Sequence, residues 1–363
     1  MNKISIALLL VFVAGCTKPS TAPQDVSTPS TAVKDPIVFA RGLEVPWAIA
    51  FAPDGRMFVT ERPGRVRVIE KGTLRAEPLL SLTNVVADGE AGLMGLTLHP
   101  DFASNHYVYL CYATGDLTDT VARYRDDGTS LVDPHTILEK IPAARFHAGC
   151  RLKFGPDRKL YITTGDATTR AIAQDLHSLG GKILRLNDDG SVPADNPFAG
   201  SPVWSYGHRN PQGIDWDPKS GLLFETEHGP SGFDGGVGGD EVNIVERGKN
   251  YGWPVIMHHD EHEGMVSPLL EYTPACAPAS GAFWNGDFYF GCLRGANLHR
   301  VVLDASDRRK VVREESLFTD LGRIREVVAG PDGALYFTTS NRDGRGDPSA
   351  DDDRIFKLES GVR

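Results

Sequence analysis

Short apolar runs recur along the chain in a regular pattern. Each run is followed by a turn, often containing Pro-Asp or Asn-Gly, and then by a second apolar run that ends in small or polar residues. These dipeptides supply the backbone angles of tight hairpins, and β-branched and aromatic residues dominate the flanking runs. The pattern therefore predicts strand–turn–strand units, and six copies occupy residues 48–62, 92–114, 150–167, 213–230, 280–294 and 325–341.

The distance between successive units leaves room for two more strands in each, such as those predicted at 65–70 and 121–126. Six repeats of four strands predict an all-β protein, a six-bladed β-propeller with four-stranded antiparallel blades. A β-sandwich or a solenoid would explain the hairpins but not their even recurrence. We assign the propeller domain to residues 35–363.

The N-terminus predicts export. One lysine precedes an apolar run from Ile4 to Val13, which is too short to span a bilayer and is typical of a signal peptide over residues 1–16. The small residues before Cys16 favour a bacterial lipoprotein with an acylated Cys16, and ordinary secretion with loss of Cys16 is the alternative. Residues 17–34 are rich in Ser, Thr and Pro and suit a disordered tether. We therefore expect a lipoprotein on the periplasmic side of a bacterial membrane. The outer membrane is the predicted location.

Composition narrows the classes of partner. The 363 residues are 40% hydrophobic and carry a net charge of −10, which argues against a nucleic-acid-binding face. Four cysteines remain after Cys16, namely Cys111, Cys150, Cys276 and Cys292. They allow three pairings in an oxidising compartment, and buried free thiols are an open alternative.

Propeller geometry sorts the polar residues. The first strands of all blades line the central channel in one direction, so the residues before them meet at one channel mouth. The loops after the second strands open at that same mouth. Ionisable and amide side chains occupy these positions: Glu61, Glu90, His147, Asp166, Arg209, Asn210, Glu227, His228, Arg294, Arg323, Arg325 and Asn341. Several arginines and a histidine at one opening predict a concave site for an anionic ligand.

Four segments carry a resemblance to a known family. They are residues 147–167 (HAGCRLKFGPDRKLYITTGDA), 207–213 (GHRNPQG), 227–230 (EHGP) and 239–254 (GDEVNIVERGKNYGWP). The chain resembles the soluble quinoprotein sugar dehydrogenases, which comprise soluble glucose dehydrogenase and the periplasmic aldose sugar dehydrogenases. The resemblance covers residues 35–358. It implies oxidation of the anomeric carbon of aldose sugars to lactones, with pyrroloquinoline quinone (PQQ) and Ca²⁺ as cofactors and a periplasmic electron acceptor that the sequence does not identify.

The resemblance also assigns roles near the reacting atoms. His147 matches the family's catalytic base, which takes the proton from the anomeric hydroxyl, and imidazole is suited to proton transfer near neutral pH. Arg209 and Asn210 match the pair that contacts the quinone oxygens. Fixed donors at those oxygens stabilise the negative charge that develops there during reduction.

Further positions match contacts to the rest of the cofactor. Arg294, Arg323 and Arg325 would hold its carboxylates, a task that suits the guanidinium group. Glu90 falls where some members carry glutamine, and a carboxylate is less favourable beside an anionic quinone.

Calcium positions follow from the same resemblance. The backbone carbonyls of Gly229 and Pro230 would bind one Ca²⁺, which takes hard oxygen ligands and would polarise the quinone. Glu241 and Tyr251 match a second, structural calcium position, although Glu241 would otherwise be read as a surface carboxylate.

Two other functions are compatible with a propeller. A calcium-dependent lactonase or esterase would also use a calcium ion and a histidine at the channel mouth, but it needs no ring of arginines. A non-catalytic sugar- or peptide-binding propeller is the second alternative. The loops at 251–280 and 285–291 are short for this family, which predicts an open site that accepts varied aldoses. No Gly-x-Gly-x-x-Gly follows a strand, so a nicotinamide cofactor is not indicated.

Overall fold

The structure is a computed structural model that describes residues 34–230, 234 and 238–361. The predicted signal peptide, the acylated Cys16 and the tether lie outside the described residues, apart from Lys34. Within the described part of the chain, no helix is both long and apolar enough to cross a membrane.

Nearly all regular structure in the described residues is β-strand. One helical turn, α1 (Phe102–Asn105), and one 3-10 turn (Arg170–Ala173) interrupt it. The strands are β1 (Ile37–Ala40), β2 (Pro46–Phe51), β3 (Met57–Glu61), β4 (Arg65–Glu70), β5 (Thr73–Leu74), β6 (Leu80–Ser81), β7 (Leu93–Leu98), β8 (Tyr107–Ala113), β9 (Thr118–Asp126), β10 (Leu131–Pro142), β11 (Leu152–Phe154), β12 (Leu160–Thr164), β13 (Lys182–Leu186), β14 (Val203–Tyr206), β15 (Pro211–Trp216), β16 (Leu223–Glu227), β17 (Asp240–Val245), β18 (Leu270–Tyr272), β19 (Pro278–Trp284), β20 (Asp287–Cys292), β21 (Asn297–Leu303), β22 (Val311–Leu317), β23 (Ile324–Ala329), β24 (Leu335–Thr339) and β25 (Ile355–Leu358).

These strands form six antiparallel sheets, which confirms the predicted six-bladed propeller. Blade 1 holds β2 to β6, with the short β5 and β6 both pairing with the outer edge of β4. Blades 2 to 5 each hold four consecutive strands, β7–β10, β11–β14, β15–β18 and β19–β22. Blade 6 combines β23, β24 and β25 with the N-terminal strand β1.

The ring is closed by the N-terminal strand. β1 pairs with β25 as the outermost strand of blade 6, for example at Val38 opposite Phe356. This pairing joins the two ends of the domain and leaves no blade incomplete, so the first and last blades cannot separate without breaking a strand ladder. The hairpin pattern alone did not predict this contribution of residues 37–40.

Each blade begins with the predicted hairpin. In blade 1, Phe51 pairs with Met57 across a turn in which Gly55 has a φ of +89°, a conformation that favours glycine. All five residues of β3 are buried, whereas the outer strand β22 is largely exposed. Apolar side chains therefore fill the space between neighbouring blades near the axis, where Trp47, Phe58 and Leu93 are fully buried.

One predicted alternative for the cysteines is now decided. Cys111 on β8 forms a disulfide with Cys150, which precedes β11, so the bond ties blade 2 to the segment that carries His147. Cys276 and Cys292 are present as thiols with their sulfur atoms 2.9 Å apart.

Candidate functional site

Loops and strand ends from blades 2 to 6 surround a cavity of about 400 Å³. The lining brings together most of the residues that the sequence predicted for the site. Its side chains include Glu90, Phe146, His147, Arg209, Gln212, His228, Asp240, Leu293, Arg294, Arg323, Arg325, Asp343 and Arg345. The expected convergence of the inner-strand loops on one opening is therefore observed.

His147 is held by a buried carboxylate. Its Nδ1 lies 2.6 Å from Oδ1 of Asp166, and both side chains are almost fully buried. The other ring nitrogen, Nε2, has no hydrogen bond to any residue that the structure describes, and the ring borders the cavity. With Nδ1–H donated to Asp166, Nε2 carries the free lone pair and can accept a proton from a bound ligand.

The carboxylate of Asp166 is itself fixed on both sides. Its Oδ1 also accepts the backbone N–H of Thr168 at 2.8 Å, and Oδ2 accepts the indole N–H of Trp253 at 2.8 Å. With Nδ1 of His147 protonated, each of these partners is a donor, and together they fix the orientation of the carboxylate. Trp253 lies 87 residues away in sequence.

Glu90 and Asn210 support the same loop. The Oε2 atom of Glu90 accepts the backbone N–H of His147 and the Nδ2 of Asn210, both at 3.0 Å. Burial acts to raise the pKa of Glu90, but the imidazoles of His228 and His147 and the guanidinium of Arg345 hold it below its ordinary value. Glu90 is therefore an anion within the cavity wall. Asn210 is fully buried and lies behind this wall rather than among the lining residues.

Five arginines give the cavity its cationic character. Arg209 is oriented by its bonds to Asp234 and to the carbonyl of His228. Arg323 donates its Nε to Asp343 at 2.9 Å and its Nη1 to the Leu293 carbonyl at 3.0 Å. These contacts fix the guanidinium planes before any ligand binds, which lowers the entropy cost of binding an anion.

The remaining arginines differ in their surroundings. Burial lowers the pKa of Arg325 to about 10, so the group is still protonated at neutral pH. Burial acts to raise the pKa of Asp343, but the guanidinium groups of Arg325 and Arg323 hold this pKa below its ordinary value. Arg294 is exposed and forms no ion pair with a residue in the described ranges. It therefore presents a free guanidinium to an anionic ligand.

PQQ would fit the donor set of this cavity. Its carboxylates require several cations, and the lining supplies five arginines against the acidic side chains of Glu90, Asp240 and Asp343. Nε2 of His228 is buried in the same wall without a hydrogen-bond partner among the described residues, and burial lowers the pKa of this histidine. A polar ligand in the cavity would satisfy this nitrogen.

Gly229, one of the two residues predicted for the first calcium, lines the cavity, whereas Pro230 does not. Gly229 donates its N–H to Oδ1 of Asp240 at 2.8 Å and packs directly against the carbonyl of Gly239. A Cβ at residue 229 would collide with that carbonyl, so only glycine is accommodated there. Gly229 and Pro230 also border a second cavity of about 10 Å³, the size of one water molecule or ion.

This small cavity also contains the residues predicted for the second calcium, Glu241 and Tyr251. Glu241 is not an isolated surface group. Its carboxylate and those of Glu225 and Glu227, which we call the carboxylate cluster, all lie within 3.2 Å of Nδ2 of Asn243. Burial and then the neighbouring Glu227 raise the pKa of Glu225 and Glu241 well above the ordinary value, and burial raises that of Glu227 to about 7.

The carboxylate cluster fits a divalent cation. Oε1 of Glu225, Oδ1 of Asn243 and Nδ1 of His208 are buried without hydrogen-bond partners among the described residues. A ring nitrogen of His208 and oxygens of Glu225 and Glu227 lie within 4.8 Å of one another. Unsatisfied oxygens next to mutually repelling carboxylates are what a hard cation would stabilise.

Comparison with known proteins gives the family. The Glucose / Sorbosone dehydrogenase family model matches residues 43–346. The chain is 35% identical to the aldose sugar dehydrogenase YliI of Escherichia coli (strain K12), over 83% of this chain and 89% of that one. It is 32% identical to quinoprotein glucose dehydrogenase B of Acinetobacter calcoaceticus, over 73% of this chain and 63% of that one.

A solved structure gives the same result. The chain is similar to the PQQ-bound form of aldose sugar dehydrogenase from Streptomyces coelicolor, with 37% identity, a TM-score of 0.83 and coverage of 90% of this chain and 98% of that one. The protein is thus a propeller oxidoreductase. It belongs to the glucose/sorbosone dehydrogenase family.

Sequence reasoning missed several residues of the site. Trp253, Asp343 and Arg345 were not singled out, and Asp166 was noted only as a loop residue. Asp166 follows the end of the apolar run of β12, which is a detectable signal. Trp253 and Asp343 carry no local signal, because their partners lie in other blades or loops.

Proposed function

We propose that this protein oxidises the anomeric carbon of aldose sugars to lactones, using bound PQQ and Ca²⁺. Membership of the glucose/sorbosone dehydrogenase family and the sugar dehydrogenases among its relatives support the reaction class. The observation that carries the proposal is the pairing of an Asp166-bound imidazole with a ring of arginines around one cavity.

His147 is the catalytic base in this proposal. Its Nε2 accepts the proton of the anomeric hydroxyl, while Asp166 holds the ring and stabilises the imidazolium that forms. PQQ, when bound, would supply the acceptor for the hydride of that carbon, and Ca²⁺ would supply polarisation of the quinone. The φ of His147 is +60°, so its backbone is held in an unfavourable region that the bonds to Glu90 and Asp166 maintain.

The arginines bind and orient the cofactor. Arg294, Arg323 and Arg325 hold its carboxylates, and Arg209 donates to the quinone oxygens. Asn210 is assigned to the quinone oxygens as well, and its bond to Glu90 supports a role in positioning the His147 loop. Glu90 contributes its carboxylate to the wall of the cavity that binds the cofactor.

The calcium sites use oxygen ligands. The carbonyls of Gly229 and Pro230 hold the catalytic ion, and Glu241 with Tyr251 holds a structural ion next to the carboxylate cluster. The chain acts on the periplasmic side of the membrane, anchored through a lipid on Cys16, and passes electrons to an unidentified acceptor there. We expect several aldoses to be accepted because the loops around the opening are short.

Reconstitution tests the proposal. The apoprotein is mixed with Ca²⁺ and PQQ and assayed for dye reduction with a panel of aldoses, and we expect cofactor-dependent turnover. His147→Ala should keep PQQ binding and lose turnover by about 10²–10⁴-fold. His135→Ala removes an exposed histidine on the outer strand β10 and should have no effect.

Three outcomes would contradict the proposal or its assignment of the base. Lactone hydrolysis without PQQ would favour a lactonase, and sugar binding without turnover or PQQ uptake would favour a binding protein. Unchanged turnover in His147→Ala would remove this residue as the base.

A further inference from the structure

Cys276 and Cys292 lie directly behind one wall of the cavity. Cys292 ends β20 and is fully buried, and Cys276 lies two residues before β19. Their neighbours Ala275, Ala277 and Leu293 line the cavity. Any change in the bonding of the two sulfur atoms therefore acts on the wall that carries Arg294.

The two sulfur atoms are 2.9 Å apart. Carbon atoms in van der Waals contact are separated by about 3.5–4.0 Å, and sulfur is larger. Two free thiols would therefore be pressed together at this site, whereas a covalent bond would draw them to about 2.05 Å. Gly295 packs over the pair, because a Cβ at that position would lie 3.1 Å and 3.2 Å from the two cysteine Cβ atoms.

Backbone hydrogen bonds already align the two segments. The N–H groups of Arg294 and Gly295 both donate to the carbonyl of Cys276 at 2.9 Å, and Leu293 N–H donates to Ala277 at 2.9 Å. Little movement is needed to bring the sulfur atoms into bonding distance. The pairing is thus favoured by geometry that exists without the bond.

We propose that Cys276 and Cys292 form a second disulfide that fixes the Arg294 wall of the cavity. Both S–H bonds break and one S–S bond forms. The two electrons and two protons pass to the disulfide of a thiol–disulfide oxidant, which becomes two thiols. Cys292 is fully buried in the folded protein, so an oxidant reaches the pair most readily during folding, and the bond forms then.

The bond would connect two parts of the site. Asp240 accepts the N–H of Ala277 at 2.6 Å through Oδ2 and the N–H of Gly229 through Oδ1. A link from Cys276 to Cys292 therefore joins the segment that presents Arg294 to the segment that presents Gly229. This consequence for cofactor retention rests on the proposed function, whereas the existence of the bond does not.

Peptide mapping tests the bond itself. The protein is unfolded without reductant, alkylated with N-ethylmaleimide and digested with trypsin. No Lys or Arg lies between Cys276 and Cys292, so one tryptic peptide contains both. We expect this peptide to be unalkylated and lighter by two hydrogens, and a second cleavage before Asp287 should leave its two halves linked until reductant is added. The control is protein refolded with oxidised glutathione in which Cys111 and Cys150 are linked. If Cys276 and Cys292 are both alkylated in that protein, the proposal is overturned.

Cofactor release tests the clamping role. We expect PQQ to dissociate about two- to tenfold faster from Cys276→Ser/Cys292→Ser, because the Arg294 side chain loses preorganisation. Dithiothreitol should accelerate release from the wild type more than from the double variant, which retains Cys111–Cys150 as an internal control. If Cys276 and Cys292 are linked but PQQ dissociates at the same rate from the wild type and the double variant, the clamping role is refuted. If the two cysteines are linked in a protein that binds no PQQ, only the proposed function is refuted.

Discussion

Replacing Asp166 with asparagine removes one charge and changes almost no volume. In the wild type, Oδ1 faces the Nδ1 of His147 and the N–H of Thr168, and Oδ2 faces the indole N–H of Trp253. An amide places its NH₂ on one side only. If the NH₂ faces Trp253, it meets the indole N–H, and two donors face each other. If the NH₂ faces His147, it meets the backbone N–H of Thr168, which is also a donor. In that orientation the NH₂ also donates to Nδ1 of His147, which forces the imidazole into the tautomer with Nε2 protonated.

The size of the effect follows from the geometry. Two unit charges 2.6 Å apart interact by about 6 kcal/mol at an effective dielectric constant of about 20, which is an upper bound for the lost stabilisation of the imidazolium. About 1.36 kcal/mol corresponds to a tenfold change in rate. We therefore expect kcat of Asp166→Asn to fall by about 10²–10⁴-fold. This loss is smaller than the upper bound on the energy implies, because water and neighbouring dipoles partly replace the lost stabilisation of the imidazolium.

The assay compares turnover with binding. Steady-state dye reduction gives kcat and KM for a good aldose, and a PQQ titration gives the cofactor affinity, which we expect to be unchanged. Asp133→Asn, which removes an exposed carboxylate paired with Arg125, is the matched control. A kcat within about threefold of the wild type, or a loss of turnover explained entirely by lost PQQ binding, would refute the role of Asp166 as the positioning residue of His147.

Three further predictions concern charge. Arg294→Ala should weaken PQQ binding about three- to tenfold in a fluorescence titration, since the group is exposed and its charge is partly screened; unchanged affinity would exclude the contact. Glu225→Gln should be at least as stable as the wild type in EDTA, because the raised pKa leaves the wild-type carboxyl neutral. The variant should lose most of the rise in Tm that Ca²⁺ produces in the wild type. A rise in Tm as large as that of the wild type would exclude the carboxylate cluster as a calcium site. Burial raises the pKa of Asp119 well above its ordinary value, so folding favours its neutral form and stability is lost as pH rises above about 4. Urea unfolding from pH 5 to 9 should show that the free energy of unfolding of Asp119→Asn increases relative to that of the wild type as the pH rises. A difference in free energy that does not change with pH would contradict this assignment.

Local patterns were sufficient to predict the class of fold and the number of blades. Hairpin signals such as Pro53-Asp54-Gly55 depend on residues adjacent in sequence, so six of them could be counted without a structure. Propeller geometry then places the residues that flank inner strands at one opening. This is why His147, Arg209 and Arg323, predicted from separate repeats, line one cavity.

Only the tertiary structure decided how these residues are held. The contacts of Asp166 with Trp253 and of Arg323 with Asp343 join different loops, and local propensity contains no information about them. The closure of blade 6 by residues 37–40 likewise joins the two ends of the chain. Long-range pairings depend on which side chains the assembled blades bring within a few ångströms, and the sequence pattern specifies that assembly only in outline.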